Sequence, residues 1–182
     1  MTPILATSEL GLERGRVMLA LYSPLWPDCF RAEQQSLSGI LGTSALAFEH
    51  IGSRSILGMA AEPIIDMMVA VRELDEVEDF VKDLCCLGYQ DKGSGGAPDR
   101  RYFVKEKEPR RTHHLNFTEL KSRFWKEHIL FRDYLRTHPE VAAEYSALKQ
   151  ALARKFPKDR ASYTRSKEEF VQSVLLRAWQ QR

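Results

Sequence analysis

One nearly continuous apolar segment, Ile64 to Val71, most constrains the fold of this chain. Such a run is typical of a central β-strand that is buried on both faces, with other elements covering each side. A single carboxylate, Asp66, interrupts the run. Because a buried charge is costly unless a metal, a cation or several hydrogen bonds compensate it, the segment predicts both a sheet core and a compensated site at Asp66.

A Gly-Ser turn precedes this strand. Residues 45–51 are typical of a strand that leads directly into Gly52, Ser53, Arg54 and Ser55. Gly52 lets the backbone approach a ligand closely, and the turn N–H groups and serine hydroxyls are donors suited to an anion, usually phosphate. The same residue types also dominate ordinary turns between strands. Both interpretations stay open, and Arg54 faces either the anion or the solvent.

The rest of the pattern alternates strand and helix before it becomes helical. Strands are predicted at 16–22, 101–105 and 112–117, helices at 24–41 and 74–87, a Gly-rich loop at 91–98, and C-terminal helices at 120–137, 140–156 and 162–180. The fold class is therefore α/β (α+β), a mixed β-sheet core flanked by helices with a C-terminal helical region. We divide the chain into an irregular N-terminal extension (1–15), the α/β core (16–119) and a helical region packed on it (120–182).

Composition narrows the classes of function. The chain has 182 residues, 43% hydrophobic and 29% charged, which suits one soluble domain. A net charge of +2 argues against nucleic acid as the default partner. The three cysteines have no metal-ligand spacing, and no run approaches the roughly 20 apolar residues of a membrane span. With no secretory leader visible, we expect a cytoplasmic protein without a membrane partner.

Four groups of residues carry a family resemblance. They are Glu49-His50-Ile51-Gly52-Ser53-Arg54-Ser55, Pro63-Ile64-Ile65-Asp66, Phe131-Arg132-Asp133-Tyr134-Leu135-Arg136, and Tyr163-Thr164 with Lys167, Phe170 and Val171. In these groups the chain resembles the GrpB family, which is classed by its fold with the nucleotidyltransferase superfamily. The resemblance implies a nucleotidyltransferase-like core, a nucleoside triphosphate and Mg²⁺ as ligands, and phosphate binding by Gly52, Ser53, Arg54 and Ser55.

The superfamily motif also contains two acids that alternate on the strand after the turn. Asp66 matches the first acid and would be a catalytic residue and the Mg²⁺ ligand, with waters and phosphates completing the coordination shell. Met68 shares its strand face and stands where the second acid is expected. A thioether cannot replace a hard oxygen ligand, so the chain departs from the two-metal pattern. In the alternative interpretation, Asp66 accepts hydrogen bonds from the Gly52 turn and organises it.

Two further candidates lie on a later strand, where the superfamily places its third acid. His114 and Asn116 share one face of the strand at 112–117. The resemblance makes His114 a candidate catalytic residue and Asn116 a candidate ligand-binding residue. Arg100, at the start of the preceding strand, is suited to bidentate contact with phosphate. The alternative for His114 and Asn116 is the polar face of an edge hairpin. Arg100 and Arg101 lie at a strand start, so one of them is expected to point to the cleft.

The C-terminal helices supply basic candidates. Arg132 and Arg136 are four residues apart on one helix face, from which they would reach over the sheet to an anion. Lys149, Tyr163 and Lys167 are further candidates. For Lys149, Tyr163 and Lys167 the sequence favours surface salt bridges as the simpler interpretation.

Two functions of different class follow from these residues. The leading hypothesis is transfer of a nucleotidyl group from a nucleoside triphosphate to an unknown small acceptor. The alternative is a catalytically degenerate module that binds a nucleotide or another phosphorylated ligand, and Met68 favours it. Unrelated chemistry at His50, His114 or a cysteine is a third hypothesis.

Overall fold

The computed structural model describes residues 10–181 and contains a six-stranded mixed sheet. Its strands are β1 (Leu12–Glu13), β2 (Ala47–Ile51), β3 (Ile65–Val71), β4 (Tyr89–Asp91), β5 (Arg101–Lys107) and β6 (Arg110–Glu119). The sheet order is β2-β3-β6-β5-β4, and β1 pairs with the start of β6. Only β3 and β6 run parallel among these pairs. The predicted fold class is confirmed, and the apolar segment forms the central strand β3.

Helices cover both faces of the sheet. They are α1 (Trp26–Leu41), α2 (Val81–Cys86), α3 (Arg123–Thr137), α4 (Pro139–Lys155), α5 (Arg160–Arg165) and α6 (Glu168–Gln180). Local chemistry fixes several starts. The Ser122 hydroxyl accepts from the Trp125 N–H at 3.1 Å, and a carboxylate oxygen of Asp159 accepts from the Ser162 N–H at 3.0 Å. Pro139 opens α4, where a missing N–H costs nothing.

Alternation along β3 divides the interior into two sides. Met67 and Val69 belong to the main apolar core, with residues of α1 and α2 such as Leu37 and Leu84. Asp66 and Met68 face the opposite side, which α3 and the C-terminal helices cover. The candidate residues on β3 therefore lie between the sheet and the C-terminal helices.

The structure corrects four element predictions. Residues 16–22 do not form a strand, because their backbone groups form hydrogen bonds outside the sheet. Ala20 pairs in an isolated bridge with Ala61, and the Val17 N–H donates to the Pro157 carbonyl. Leu12–Glu13 joins the sheet although 1–15 was predicted irregular, and residues 1–9 lie outside the described part. The predicted helix at 74–87 divides into a 3₁₀ segment, Leu74–Phe80, and α2. The helix at 162–180 divides into α5 and α6.

Membrane-spanning helices are not part of this fold. Between residues 10 and 181, every helix is too short or too polar to traverse a bilayer.

Candidate functional site

The turn after β2 is shaped around Asp66. Gly52 has a left-handed φ of +68°, and a Cβ added there would lie 2.6 Å from Oδ2 of Asp66. Glycine is therefore required by both the backbone and the close approach. The 3₁₀ turn Ser53–Ser55 follows, and the Ser55 hydroxyl donates to the Gly52 carbonyl at 2.7 Å. The turn is locked by its own hydrogen bond, with the Asp66 carboxylate against its glycine.

Arg54 is buried under the turn and does not face the solvent. Its Nε donates to the Glu62 carbonyl at 2.5 Å, its Nη2 donates to the Ala61 carbonyl, and its guanidinium lies 3.1 Å above the centre of the Trp26 ring. Burial lowers the pKa of Arg54, yet the guanidinium stays charged at neutral pH. The Nη1 atom has no hydrogen-bond partner within residues 10–181, which leaves one buried donor unsatisfied.

Asp66 and His114 form a hydrogen-bonded pair. They lie opposite each other on the parallel strands β3 and β6, and Nδ1 of His114 is 2.8 Å from Oδ1 of Asp66. Burial alone would raise the pKa of Asp66, but the hydrogen bond and charge of His114, with the charge of Arg160, lower it. On the other side of the ring, Nη2 of Arg160 lies 3.4 Å from Nε2 of His114. Asp66 is therefore an ionised carboxylate compensated by the protein.

Met68 fills the position of the expected second acid with apolar packing. Its side chain is fully buried and clusters with Ile51 and Phe124. Within residues 10–181, no three or more His, Cys, Asp or Glu side chains are grouped to hold a metal ion. The residues present do not fit a two-metal centre.

Arg100 and Asn116 bind each other. Nη1 of Arg100 donates to Oδ1 of Asn116 at 3.2 Å, and Nδ2 of Asn116 donates to the Met67 carbonyl at 2.9 Å. Arg100 also donates through Nε to the Ser94 carbonyl at 2.9 Å and lies 4.7 Å above the Tyr102 ring. The pair therefore fastens the Gly-rich loop to the sheet, on the Asp66 face but outside the cavity described below.

Arg132 and Arg136 are held by protein groups. Nη1 of Arg132 donates to the Glu49 carboxylate and, at 3.2 Å, to the His50 carbonyl, while its Nε donates to Asp133 at 2.7 Å. Arg136 donates to the Ser55 carbonyl through Nε and Nη2, at 3.1 and 2.9 Å. The structure joins both side chains to β2 and the turn, and neither lines the cavity beneath the turn.

That cavity has a volume of about 150 Å³, well above the roughly 10–15 Å³ that one water needs. It joins the turn and β3 to α3, α4, α5 and the residue before α6. Its lining consists of Gly52, Ser53, Arg54, Ala61, Glu62, Asp66, Phe131, Tyr145, Lys149, Tyr163 and Lys167. Four of the residues predicted to form the site, Gly52, Ser53, Arg54 and Asp66, thus meet in one cavity with basic and phenolic groups from the helices.

Two lysines from the helical region, Lys149 and Lys167, line the cavity. Lys149 is 2% exposed, and its Nζ donates to the Ala60 carbonyl at 2.7 Å. Burial, with the neighbouring charges of Lys167 and Arg54, lowers the pKa of Lys149 well below 10.5. Burial also lowers the pKa of Lys167, whose Nζ lies 4.1 Å above the Tyr163 ring. The surface interpretation is wrong for Lys149 and for the buried Tyr163.

Three polar residues in or beside the cavity have no counterpart in the sequence prediction: Glu62, Tyr145 and Arg160. Nε of Arg160 lies 3.4 Å from Oε1 of Glu62, so this acid has a cationic partner. The sequence does contain a pattern that indicates Tyr145. Tyr145 and Lys149 are four residues apart, as are Tyr163 and Lys167, and this spacing puts each pair on one helical face. No local signal singles out Glu62 or Arg160, which meet only in the folded chain.

His50, a candidate for unrelated chemistry, lies on β2 away from the cavity. His50 stacks on Phe30 of α1 at 4.9 Å and does not line the cavity. Burial lowers its pKa to about 4, so the ring is neutral at pH 7. Cys29 lies on α1, and Cys85 and Cys86 lie on α2, all outside the cavity lining.

Comparison with known proteins decides the family. The family described as GrpB protein matches residues 16–177. This chain belongs to the GrpB family. It is 37% identical over 170 residues to the glutamate-rich protein GrpB of Alkalihalophilus pseudofirmus, which covers 91% of this chain and 98% of that protein. It is 40% identical over 159 residues to the UPF0157 protein YqkA of Bacillus subtilis, covering 87% of this chain but only 46% of the longer relative.

Solved structures agree with this assignment. The crystal structure of GrpB from Enterococcus faecalis matches with a TM-score of 0.84 and 33% identity, over 90% of this chain and 98% of that one. A structure of Cid1 poly(U) polymerase bound to MgATP matches with a TM-score of 0.51 and 13% identity, over 74% of this chain and 44% of that one. The second likeness shows that this GrpB protein shares a nucleotidyltransferase-like fold.

Proposed function

We propose that this GrpB protein binds the phosphate groups of a nucleotide or another phosphorylated ligand in the cavity beneath the Gly52 turn. The observation that supports this most is the meeting of Lys149, Lys167 and the unsatisfied Nη1 of Arg54 in a space that also exposes Ser53. An anion with several acceptor oxygens satisfies all of these donors at once.

The balance of charge in the cavity favours an anion. The two acids on its wall already have partners, since Glu62 forms an ion pair with Arg160 at 3.4 Å and Asp66 bonds His114. Within residues 10–181, Oε1 of Glu62 accepts no hydrogen bond. Among residues 10–181, Lys149 donates to the Ala60 carbonyl and lies over the Tyr145 ring, and Lys167 lies over the Tyr163 ring. The charges of Glu62 and Asp66 act on both lysines. Burial disfavours the charged form of both lysines, and an anionic ligand would stabilise that form.

Mg²⁺ enters this proposal only together with the ligand. Mg²⁺ is usually bound through one or two carboxylates and the phosphates of a substrate. Oδ1 of Asp66 bonds His114, and its Oδ2 lies against the turn glycine. Asp66 would hold one such ion through Oδ2, and the ion would neutralise phosphate charge.

The compartment that we propose for the protein is the cytoplasm.

Nucleotidyl transfer to an unknown small acceptor is the second function, supported by the first acid, Asp66, on a fold shared with Cid1 poly(U) polymerase. Two-metal transfer needs a second oxygen ligand to bridge the ions. Met68 provides none and is packed in an apolar cluster. We therefore expect weak or absent transfer to generic acceptors, with ligand binding retained.

Isothermal titration calorimetry with ATP, ADP, pyrophosphate and phosphate, each with and without Mg²⁺, tests the proposal. We expect saturable binding by at least one ligand, lost in Lys167→Met and retained in Lys158→Met, which changes an exposed lysine outside the cavity. A ligand at a hundred times its Kd should add about 2.7 kcal/mol of stability. Absence of binding, or equal affinity in both variants, contradicts the proposal. Robust Mg²⁺-dependent release of pyrophosphate from a nucleoside triphosphate, with the nucleotidyl group recovered on an acceptor rather than as free monophosphate, assigns transfer instead.

A further inference from the structure

A second and larger cavity lies on the other side of the turn. Its volume is about 780 Å³, and it runs between the loop at 55–59 and the hairpin formed by α3 and α4. This volume falls within the roughly 300–1,000 Å³ of typical small-molecule sites. Its lining includes neither Asp66 nor the two cavity lysines. We call it the α4 groove.

The floor of the α4 groove is apolar and firmly packed. Ile56 and Met59 from the loop and Leu135 from α3 line it, and each is buried in the helical core. One rim is formed by Leu57, which is 83% exposed. A leucine this exposed beside a concave apolar floor is a surface on which a ligand would bury hydrocarbon.

The helical wall is built from small side chains. Ala142, Ala143 and Ala147 of α4 line the groove, with Ser146 on the same face. Ala143 and Ala147 are exposed. Larger side chains at these two positions would occupy the space, so their small size keeps the groove open.

One cation lies at the end of the groove. Arg136 lines it, and its side chain is 42% exposed. Two of its five N–H donors bond the Ser55 carbonyl, and the Asp133 carboxylate lies 3.6 Å away, beyond hydrogen-bond length. The guanidinium therefore has donors left for an anionic group at the mouth of an otherwise apolar space.

We propose that the α4 groove binds a small amphiphilic anion, with an aliphatic chain along the apolar floor and a terminal carboxylate on Arg136. The shape favours a small molecule over a second copy of the chain. Thirteen residues line the groove, fewer than the roughly 20–30 on each side of a stable protein interface. This site is separate from the proposed phosphate cavity and does not depend on it.

Decanoate and decanol, used as monomers in solution, are the probes. Calorimetry should show saturable one-to-one binding of decanoate. The double variant Ala143→Leu/Ala147→Leu should weaken it by about tenfold or more, because leucine fills the groove while keeping helix propensity. Ala32→Leu, at an exposed position in the middle of α1 and outside the groove, is the matched control and should bind as the unaltered protein does. Arg136→Gln should weaken decanoate binding about tenfold and leave decanol binding unchanged.

The results separate the possible occupants. Absence of saturable decanoate binding, or equal affinity in the double variant and in Ala32→Leu, overturns the proposal. Equal effects of Arg136→Gln on decanoate and decanol overturn the role of the carboxylate. A dimer seen by analytical ultracentrifugation that the double variant dissociates would assign the groove to a second copy of the chain. Each outcome is independent of nucleotide binding, which is measured in separate titrations.

Discussion

Oδ1 of Asp66 lies 2.8 Å from Nδ1 of His114, directly across the parallel pair of strands β3 and β6. This bond explains how a lone carboxylate persists in an apolar strand without a second acid beside it. Oδ2 of Asp66 lies against Gly52, on the wall of the cavity. Asp66 thus has a structural role on one oxygen and a proposed ligand role on the other.

Asp66→Asn should separate these two roles. The folded protein lowers the pKa of Asp66, so its stabilising contribution is present above the unfolded value of 3.8 and is lost as pH falls through the folded value. We expect the variant to lose about 1 kcal/mol of unfolding free energy at pH 7, because the amide oxygen still accepts from His114 but carries no charge. Urea denaturation measures this loss. In titrations with ATP, the variant should also lose the increment in affinity that Mg²⁺ gives. An unchanged Mg²⁺ increment would remove Asp66 as the metal ligand.

Gly52→Ala should destabilise the protein more than Gly58→Ala. Both glycines have positive φ, at +68° and +75°, so both variants carry a backbone cost of about 1–2 kcal/mol. Only at Gly52 does the added Cβ meet the Asp66 carboxylate, whereas nothing lies within 4 Å at Gly58. Thermal and urea unfolding of the two variants isolate the close contact. Equal losses would mean that the turn and the carboxylate move apart at little cost.

The sequence predicted the sheet side of the site better than its helical side. The apolar run around Asp66 and the Gly52 turn are local patterns, and alternation put Met68 beside Asp66 and Asn116 beside His114. Lys149 could not be predicted in the same way, because its burial depends on how α4 packs against the turn. Charged residues are usually exposed, so a buried lysine has no composition signal of its own.

Arg132 also could not be assigned from the local sequence, because its partner is distant in the chain. Its pattern suits a phosphate ligand, and only the folded chain brings the Glu49 carboxylate to it over 83 residues of sequence. Residues 16–22 have strand-like composition, but their backbone groups meet Ala61 and Pro157 rather than a strand. Contacts between distant segments therefore determine the partner of Arg132 and the conformation of residues 16–22, which the local sequence does not specify.

Met68→Asp should unfold the protein more readily and should not create activity. Met68 is fully buried and packs with Ile51 and Phe124, so an aspartate there would put a carboxylate into an apolar cluster. Arg100 lies 5.3 Å from the centre of the Phe124 ring, but it already donates to Asn116 and to the Ser94 carbonyl. We expect a loss of about 3–5 kcal/mol, the usual size for an uncompensated buried charge. Met68→Leu conserves volume and should cost less than about 1.5 kcal/mol. Urea denaturation of both variants, with a pyrophosphate-release assay, measures this. A stable aspartate variant that gains Mg²⁺-dependent release would show that the cluster opens to water.

Lys149→Met should flatten the pH dependence of stability. The folded protein lowers the pKa of Lys149 well below 10.5, the value of the unfolded chain. Between those two values the unfolded state binds more protons than the folded state, so unfolding free energy rises with pH. One such proton contributes a slope of about 1.4 kcal/mol per pH unit. Urea denaturation from neutral to alkaline pH should show this slope in the unaltered protein, and a smaller one in the variant, where the lowered pKa of Lys167 still contributes with the same sign. Lys158→Met, at an exposed position, should keep the full slope. If Lys149→Met and the unaltered protein have parallel profiles, Lys149 is charged in the folded protein before any anion arrives.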